Sequence, residues 1–225
     1  MNSGSHADFT ISCGRINQYL DDLYIHLGIK SYYECKREIM ISLREAMNAG
    51  GDMVADIARK TYTAPARKLR REIRIRKNPY MDAVMLRVYG GRGVSLMNYH
   101  PDPSSPDKHP PPGVIAQVRR AGSRHPWRSK DGGSKSFIAP KNNGGVGVFV
   151  NHGIKKVRTV PGKRKGRTKK IYTHILEMLY GPSPIQAVMQ HEKQQAVADE
   201  IEEVFVNRMN SRLPKILEKI AGGAK

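Results

Sequence analysis

The chain has 225 residues, 39% of them hydrophobic, which suffices for one ordinary domain with a modest core and excludes disorder throughout. Its 39 Lys+Arg against 20 Asp+Glu leave a formal charge of +19, which calls for an anionic partner or an acidic protein surface. Cys13 and Cys35 lie far apart with no Cys/His spacing, so neither a disulfide framework nor a zinc site is indicated. No window approaches the ~18 apolar residues of a membrane span, and "MNSGSHADFT" lacks the pattern of a secretory signal, so a soluble protein without membrane contact is expected.

In chain order, apolar residues from Ser31 to Tyr62 (Tyr33, Ile39, Met40, Leu43, Met47, Val54, Ile57, Ala58) recur at helical spacing and predict one long helix with Gly50-Gly51 as its weak point. "TAPARKLRREI" predicts a short basic helix from near Thr63, with Pro65 in its first turn. "IRIRKN" and "DAVMLRVYG" alternate with period two around Asn78-Pro79, which predicts a hairpin. "HPDPSSPDKHPPPG", His100 to Gly113, is too rich in Pro, Ser and Asp for sheet or helix and reads as an exposed loop. "VIAQVRR" and "VGVFVNHG" are further strands. The last helix keeps Ile185, Val188, Met189, Val197, Ile201, Val204, Phe205, Met209, Leu213, Leu217 and Ile220 on one face, with Pro214 as a bend or break near its end.

Positive charge is concentrated. One cluster holds Arg59, Lys60, Arg67, Lys68, Arg70, Arg71, Arg74, Arg76 and Lys77, relieved within it only by Glu72; a second holds Lys155, Lys156, Arg158, Lys163, Arg164, Lys165, Arg167, Lys169 and Lys170, with no acid among them. An unrelieved run repels itself unless something anionic offsets it, which favours a partner over a merely solvated face. Phosphate backbone and an acidic protein would both serve, and neither requires sequence-specific readout. The histidines (His100, His109, His125, His152, His174, His191) have no metal-ligand spacing, and "YGGRGVS" and "NNGGVGVF" match neither the phosphate loop nor the dinucleotide fingerprint. Ser123, Ser129 and Ser134 lack a nucleophile-elbow context, so no catalytic constellation, metal or cofactor is expected. Trp127, between Arg124 and Arg128, has the chemistry to stack on a base or anchor an interface.

Between "KKIYTHILEMLY" and the final helix stands "GPSP". Gly181 offers a φ that other residues avoid, Pro182 stops strand pairing, Ser183 is placed to cap a helix, and Pro184 suits that helix's first turn. Phe137-Ile138-Ala139, Gly144 to Val150, Ile175 to Leu179 and Tyr180-Gly181-Pro182-Ser183, preceded by "MVADIARKTYTAPARKLRREIRI", resemble the minor tail protein Z family, the tail completion proteins of long-tailed, lambda-like bacteriophages. The resemblance spans roughly Ile39 to Leu217. It implies a non-enzymatic virion protein at the head-proximal end of the tail, present in the host cytoplasm during assembly. Such a protein would serve tail assembly, head-tail joining and positioning of the genome end. Its implied partners are the tail terminator, major tail protein, tape measure and head-tail connector, with genomic DNA in contact and a homo-oligomeric ring as its state.

The organisation expected is a residue 1–30 extension and one α+β domain at 31–220, with a proline-rich loop at 100–113, a basic loop at 155–170 and a flexible 221–225 tail. In that domain the long N-terminal helix and the C-terminal amphipathic helix pack on a small, mainly antiparallel sheet. The expected contact residues are Arg67, Lys68, Arg70, Arg71, Arg74, Arg76, Lys155, Lys156, Arg158, Lys163, Arg164, Lys165, Arg167, Lys169 and Lys170. A non-specific nucleic-acid-binding protein, ribosomal or RNA-associated, is the rival reading; no RRM, KH or helix-turn-helix signature supports it, and aromatics are only 7%, few for base stacking.

Overall fold

Alternation and helical spacing become an α+β fold in the computed structural model, which describes residues 8–78, 84–91, 93–106, 113–128, 135–161 and 168–222. The elements in order are β1 (Asp8–Ser12), α1 (Gly14–Thr61), α2 (Ala66–Arg71), β2 (Ile73–Lys77), β3 (Met85–Gly90), β4 (Ile115–Ala116), β5 (His125–Pro126), β6 (Ser136–Pro140), β7 (Val146–Pro161), β8 (Thr168–Met178) and α3 (His191–Gly222), with short 3-10 turns at Leu96–Asn98 and Pro184–Val188. Contacts group them into two compact units where one domain was expected: Met1–Lys60, Ala66–Arg92 and Ser183–Lys225 form the first, Thr61–Pro65 and Gly93–Pro182 the second.

In the first unit β3 is the centre of an antiparallel sheet ordered β1-β3-β2. Ile11, Leu86, Val88 and Ile73 point to one face and are buried, while Thr10, Arg87, Arg74 and Arg76 point to the other and are exposed, as period-two alternation requires. The helices close over the apolar face. On α3, Val197, Ile201, Phe205 and Met209 recur every fourth residue and are all fully buried; Val204 is half-buried.

Helix α1 differs from the expectation in two ways. It begins at Gly14 rather than near Ser31, and it is not straight. Forty-eight residues would extend about 72 Å, yet Ile16 and Leu20 line one groove together with Ile39 and Leu43. Arg15 and Glu45 likewise both reach α3, at Glu202 and Arg208. The helix therefore doubles back between Leu23 and Cys35. Its first limb follows α3 in the same direction (Arg15 to Glu202, Tyr19 to Asn210) and its second limb runs opposite (Gly50 to Ile201, Glu45 to Arg208). The residues taken as an N-terminal extension thus supply a sheet strand and a core helix limb, with Ile11, Cys13, Ile16 and Leu23 buried. Alternation over "DFTIS" is the signal that marks the strand.

Charge finishes the helical packing. α1 carries no acid in its first turn, and Glu202 of α3, only 6% exposed, accepts the Arg15 backbone N–H at 2.9 Å, placing a carboxylate at the positive end of a helix. Arg212 donates to Ser42 Oγ and Glu45 Oε1 at 2.7 Å each, and Arg208 lies 3.1 Å from the other Glu45 oxygen. The helix runs through Gly50-Gly51 unbroken because both glycines accommodate neighbours. A Cβ on Gly50 would lie 2.4 Å from Ile201 Cγ1, and one on Gly51 would lie 2.6 Å from the Arg70 guanidinium. Pro214 sits inside α3 without ending it.

In the second unit β7 is the centre of an antiparallel sheet ordered β6-β7-β8, beside a small β4-β5 pair. "VIAQVRR" contributes only Ile115–Ala116 to a strand, and part of the proline-rich segment does pair: Asp102 N–H and C=O each bond Ile115 at 2.8 Å. Residues 107–112 of that segment lie outside the described residues, as do 223–225 of the expected tail. The 155–170 stretch is also not a simple loop. Its residues to Pro161 continue β7 and those from Thr168 open β8, paired as Arg158↔Ile171, Thr159↔Lys170 and Val160↔Lys169.

At the "GPSP" exit the chain passes from the second unit to the first between Pro182 and Ser183. Gly181 is not required for a left-handed φ; it is required for close approach, because a Cβ there would stand 2.4 Å from the ring of the fully buried Tyr99. Ser183 makes no cap hydrogen bond, since its side chain is packed against Gly90. Pro184 does occupy a first turn, of a 3-10 helix, and α3 starts only at His191.

Phe205→Ala is expected to cost about 3–5 kcal/mol in chemical denaturation, against under about 1 kcal/mol for the exposed Leu217→Ala. Gly50→Ala should destabilise the wild type by pressing on Ile201, although alanine is the better helix former. In an Ile201→Ala background the same change should be neutral or stabilising, and a double-mutant cycle by urea denaturation reads that coupling.

Candidate anion-binding surface and the β7–β8 ribbon

The basic sequence "ARKLRREIRIRK" folds as a helical turn and a half followed by an edge strand, so it cannot present all its cations alike. Leu69 and Ile73 are fully buried and anchor α2 and β2. Around these anchors Arg67, Lys68 and Arg71 project from α2, and Arg74 and Arg76 from the outward face of β2. All five are exposed, and none forms an ion pair among the described residues. Arg74 Nη1 donates to the Arg71 carbonyl at 2.8 Å, which ties the strand's first cation to the end of the helix. Arg76 stands over the Tyr89 ring, 5.5 Å from its centroid. Arg87 pairs across the sheet with Arg76, a like-charge juxtaposition relieved by Asp8, which accepts from Arg87 Nε at 2.9 Å.

Arg70 does not belong to this surface. Its Nε donates to Asp52 Oδ1 at 2.6 Å and its guanidinium covers Gly51, so it fastens α2 to α1. Glu72 is therefore not the cluster's only relief: Asp52, eighteen residues upstream of Arg70, also serves, and Arg59 has Asp56 at 3.7 Å. A reading of one cluster at a time could not see Asp52.

The second cluster lies on the β7–β8 ribbon. Lys170 is exposed on β8; Lys155, Lys156 and Arg158 fall on β7 and Lys169 on β8 by their backbone, and Lys163, Arg164, Lys165 and Arg167 lie outside the described residues. Beyond Val150, β7 has no partner among the described residues but β8, since β6 pairs with Val146 to Val150. At the ribbon's base His152 Nε2 and Glu177 Oε2 are 2.7 Å apart, and Asn151 contacts His174 at 3.1 Å.

A feature that the sequence reading missed is the apolar character of this ribbon's surface. Val157, Ile171, Tyr172, Ile175 and Leu176 are each about half exposed. An open groove of about 440 Å³ at the base is lined by Lys141, Asn142, Phe149, Leu176, Met178 and Tyr180. The signal was present in "KKIYTHILEML", whose apolar residues occupy both parities of the alternation, so that one buried face cannot take them all.

Reactive groups do not gather at either surface. Burial, reinforced by Glu202, pushes the Cys13 thiol up to about 12, so it stays protonated and is no nucleophile at neutral pH. Tyr99 and Tyr62 are raised, chiefly by burial. Among the described residues no group of His, Cys, Asp and Glu is placed to hold a metal ion, and no helix is long and apolar enough to cross a membrane. Trp127 is half-buried and stacked on His125 at 5.5 Å between ring centroids, with His125 exposed beside it. Comparison with known protein families, with characterised proteins and with solved structures finds no match for this chain.

Proposed function

We propose that the chain is a structural assembly protein of a bacteriophage tail, acting at its head-proximal end to complete the tail, join it to the head and position the genome end. The observation that supports it best is the β7–β8 ribbon: a long two-stranded element with apolar side chains exposed on both faces and basic residues along it. An isolated two-stranded ribbon is marginal in water, and exposed apolar patches of this kind mark contact surfaces. The resemblance around "LYGPS" supplies the tail setting. In this reading the tail terminator, major tail protein, tape measure and head-tail connector are the protein partners, the assembly is a homo-oligomeric ring, the role is non-enzymatic, and the site of action is the virion.

The rival reading, a non-specific nucleic-acid-binding protein, has its own supporting observation in the exposed Arg67, Lys68, Arg71, Arg74 and Arg76 beside Tyr89. Cations without base-edge partners bind phosphate irrespective of sequence. Both readings accommodate DNA contact; they part on whether the protein is built into particles.

With about five phosphates neutralised, duplex binding should fall with a slope near −4.5 in log K against log salt, and Arg67→Ala/Lys68→Ala/Arg71→Ala should make that slope shallower by about 2.7. A flat salt response assigns the patch to protein contacts. In the virus carrying this chain, alanine at Lys163, Arg164, Lys165 and Arg167 should leave the protein folded, because removing a run of like charges relieves repulsion. Heads and tails should form, and the joined particles should be poorly infectious when particles counted by electron microscopy are set against plaques. Normal infectivity per particle rejects a role for this stretch, and absence of the protein from purified particles rejects the tail reading itself.

A further inference from the structure

The exposed apolar residues of the ribbon have a counterpart on the same chain. On the first limb of α1, Gln18, Asp21, Asp22 and Ile25 share a face by their spacing of three and four residues, and all four are exposed. Ile25 is 72% exposed, the highest value for a large apolar side chain among the described residues. Asp21 and Asp22 form no ion pair among the described residues, in a chain with 39 Lys+Arg. This face is an aliphatic knob flanked by two acids that form no ion pair among the described residues.

The ribbon base offers the opposite. Its groove is lined by Phe149, Leu176, Met178 and Tyr180 together with Lys141, Asn142 and Asn143, and Lys170 is exposed further along β8. A volume of about 440 Å³ is ample for an isoleucine side chain and its neighbours. The aliphatic knob suits the Leu176 and Met178 side of the groove, and acid meets base at Lys141. We propose that the α1 face of Asp21, Asp22 and Ile25 in one copy docks on the ribbon-base groove of a second copy. Ile25 enters beside Leu176 and Met178, and the two aspartates face Lys141. A second copy is favoured over nucleic acid as occupant because a phosphate backbone supplies charge but no aliphatic group to cover Leu176. The two surfaces differ from each other, so the contact is head-to-tail, the class that closes into a ring or runs on as a filament. This deepens the assembly role proposed above by naming the contact through which copies associate, and it is tested apart from it.

The full-length purified chain is studied by size-exclusion light scattering and sedimentation velocity across a wide range of protein and salt concentration. The wild type should form oligomers that weaken with salt. Ile25→Asp and Leu176→Asp should each be monomeric with an unchanged circular dichroism spectrum and melting point, since both positions are half exposed or more. An equimolar mixture of the two variants should then give a one-to-one dimer and nothing larger, because each supplies the surface that the other lacks. Asp21→Lys/Asp22→Lys, which leaves the knob intact, should weaken association at least tenfold and remove its salt dependence. A wild type that is monomeric at every concentration, variants that keep the wild-type mass, or folded variants whose mixture stays monomeric would each overturn the contact. A monomeric wild type whose retention on duplex DNA is lost in Leu176→Asp would overturn it in favour of a nucleic-acid occupant.

Discussion

The close approach of α3 to both limbs of α1 is the constraint on which the first unit rests. α3 presents a buried stripe at Val197, Ile201, Phe205 and Met209, and a single straight partner helix would cover only one side of it. By doubling back, α1 brings Ile16 and Leu20 from its first limb and Ile39 and Leu43 from its second to one groove that Phe205 also lines, with Tyr19 edge-on to the Phe205 ring at 6.0 Å. Gly50 lets the second limb come within contact of Ile201, where any side chain on α1 would intrude. The third side of the stripe is taken by the apolar face of the β1-β3-β2 sheet.

Electrostatics follows from that packing rather than driving it. In a chain with almost twice as many cations as anions, four of the acids hold helices together. Glu202 meets the amino end of α1, Glu38 and Glu45 receive Arg212 and Arg208, and Asp52 receives Arg70. Partly exposed pairs of this kind add little individually, so their importance lies in orienting the limbs. Arg67, Lys68, Arg71, Arg74 and Arg76, by contrast, form no ion pair among the described residues.

The second unit solves a different problem. Its core centres on Tyr99, Ile138, Val148 and Val150, fully or almost fully buried, and is complete by the time β7 passes Val150. Beyond it, β7 and β8 form a ribbon with no third strand among the described residues. Register shifts between Asn151 and Lys156 interrupt the pairing there, and irregularities of this kind bend and twist a strand. Apolar residues on both faces then have no covering layer within the sheet, which sets this element apart from the α2–β2 surface, where only one face is exposed.

The sequence by itself determined the α+β class, the second limb of α1, the short basic helix, the alternation of β2 and β3 and the apolar stripe of α3, because each is written in periodicity over neighbouring residues. It also marked Arg67, Lys68, Arg70, Arg71, Arg74 and Arg76 as one basic cluster, of which the structure leaves all but Arg70 exposed. Only the tertiary structure decided that Ile11, Cys13, Ile16 and Leu23 join the core, because the alternation in "DFTIS" is compatible with a strand but five residues cannot announce β3 as its distant partner. Likewise Arg70 left the basic cluster for Asp52, and Gly181 proved necessary for the ring of Tyr99 instead of for its own backbone. Local propensity reports which faces a segment can offer. Which of them are covered depends on residues far away in the chain, and that is settled only when the helices and sheets close on one another.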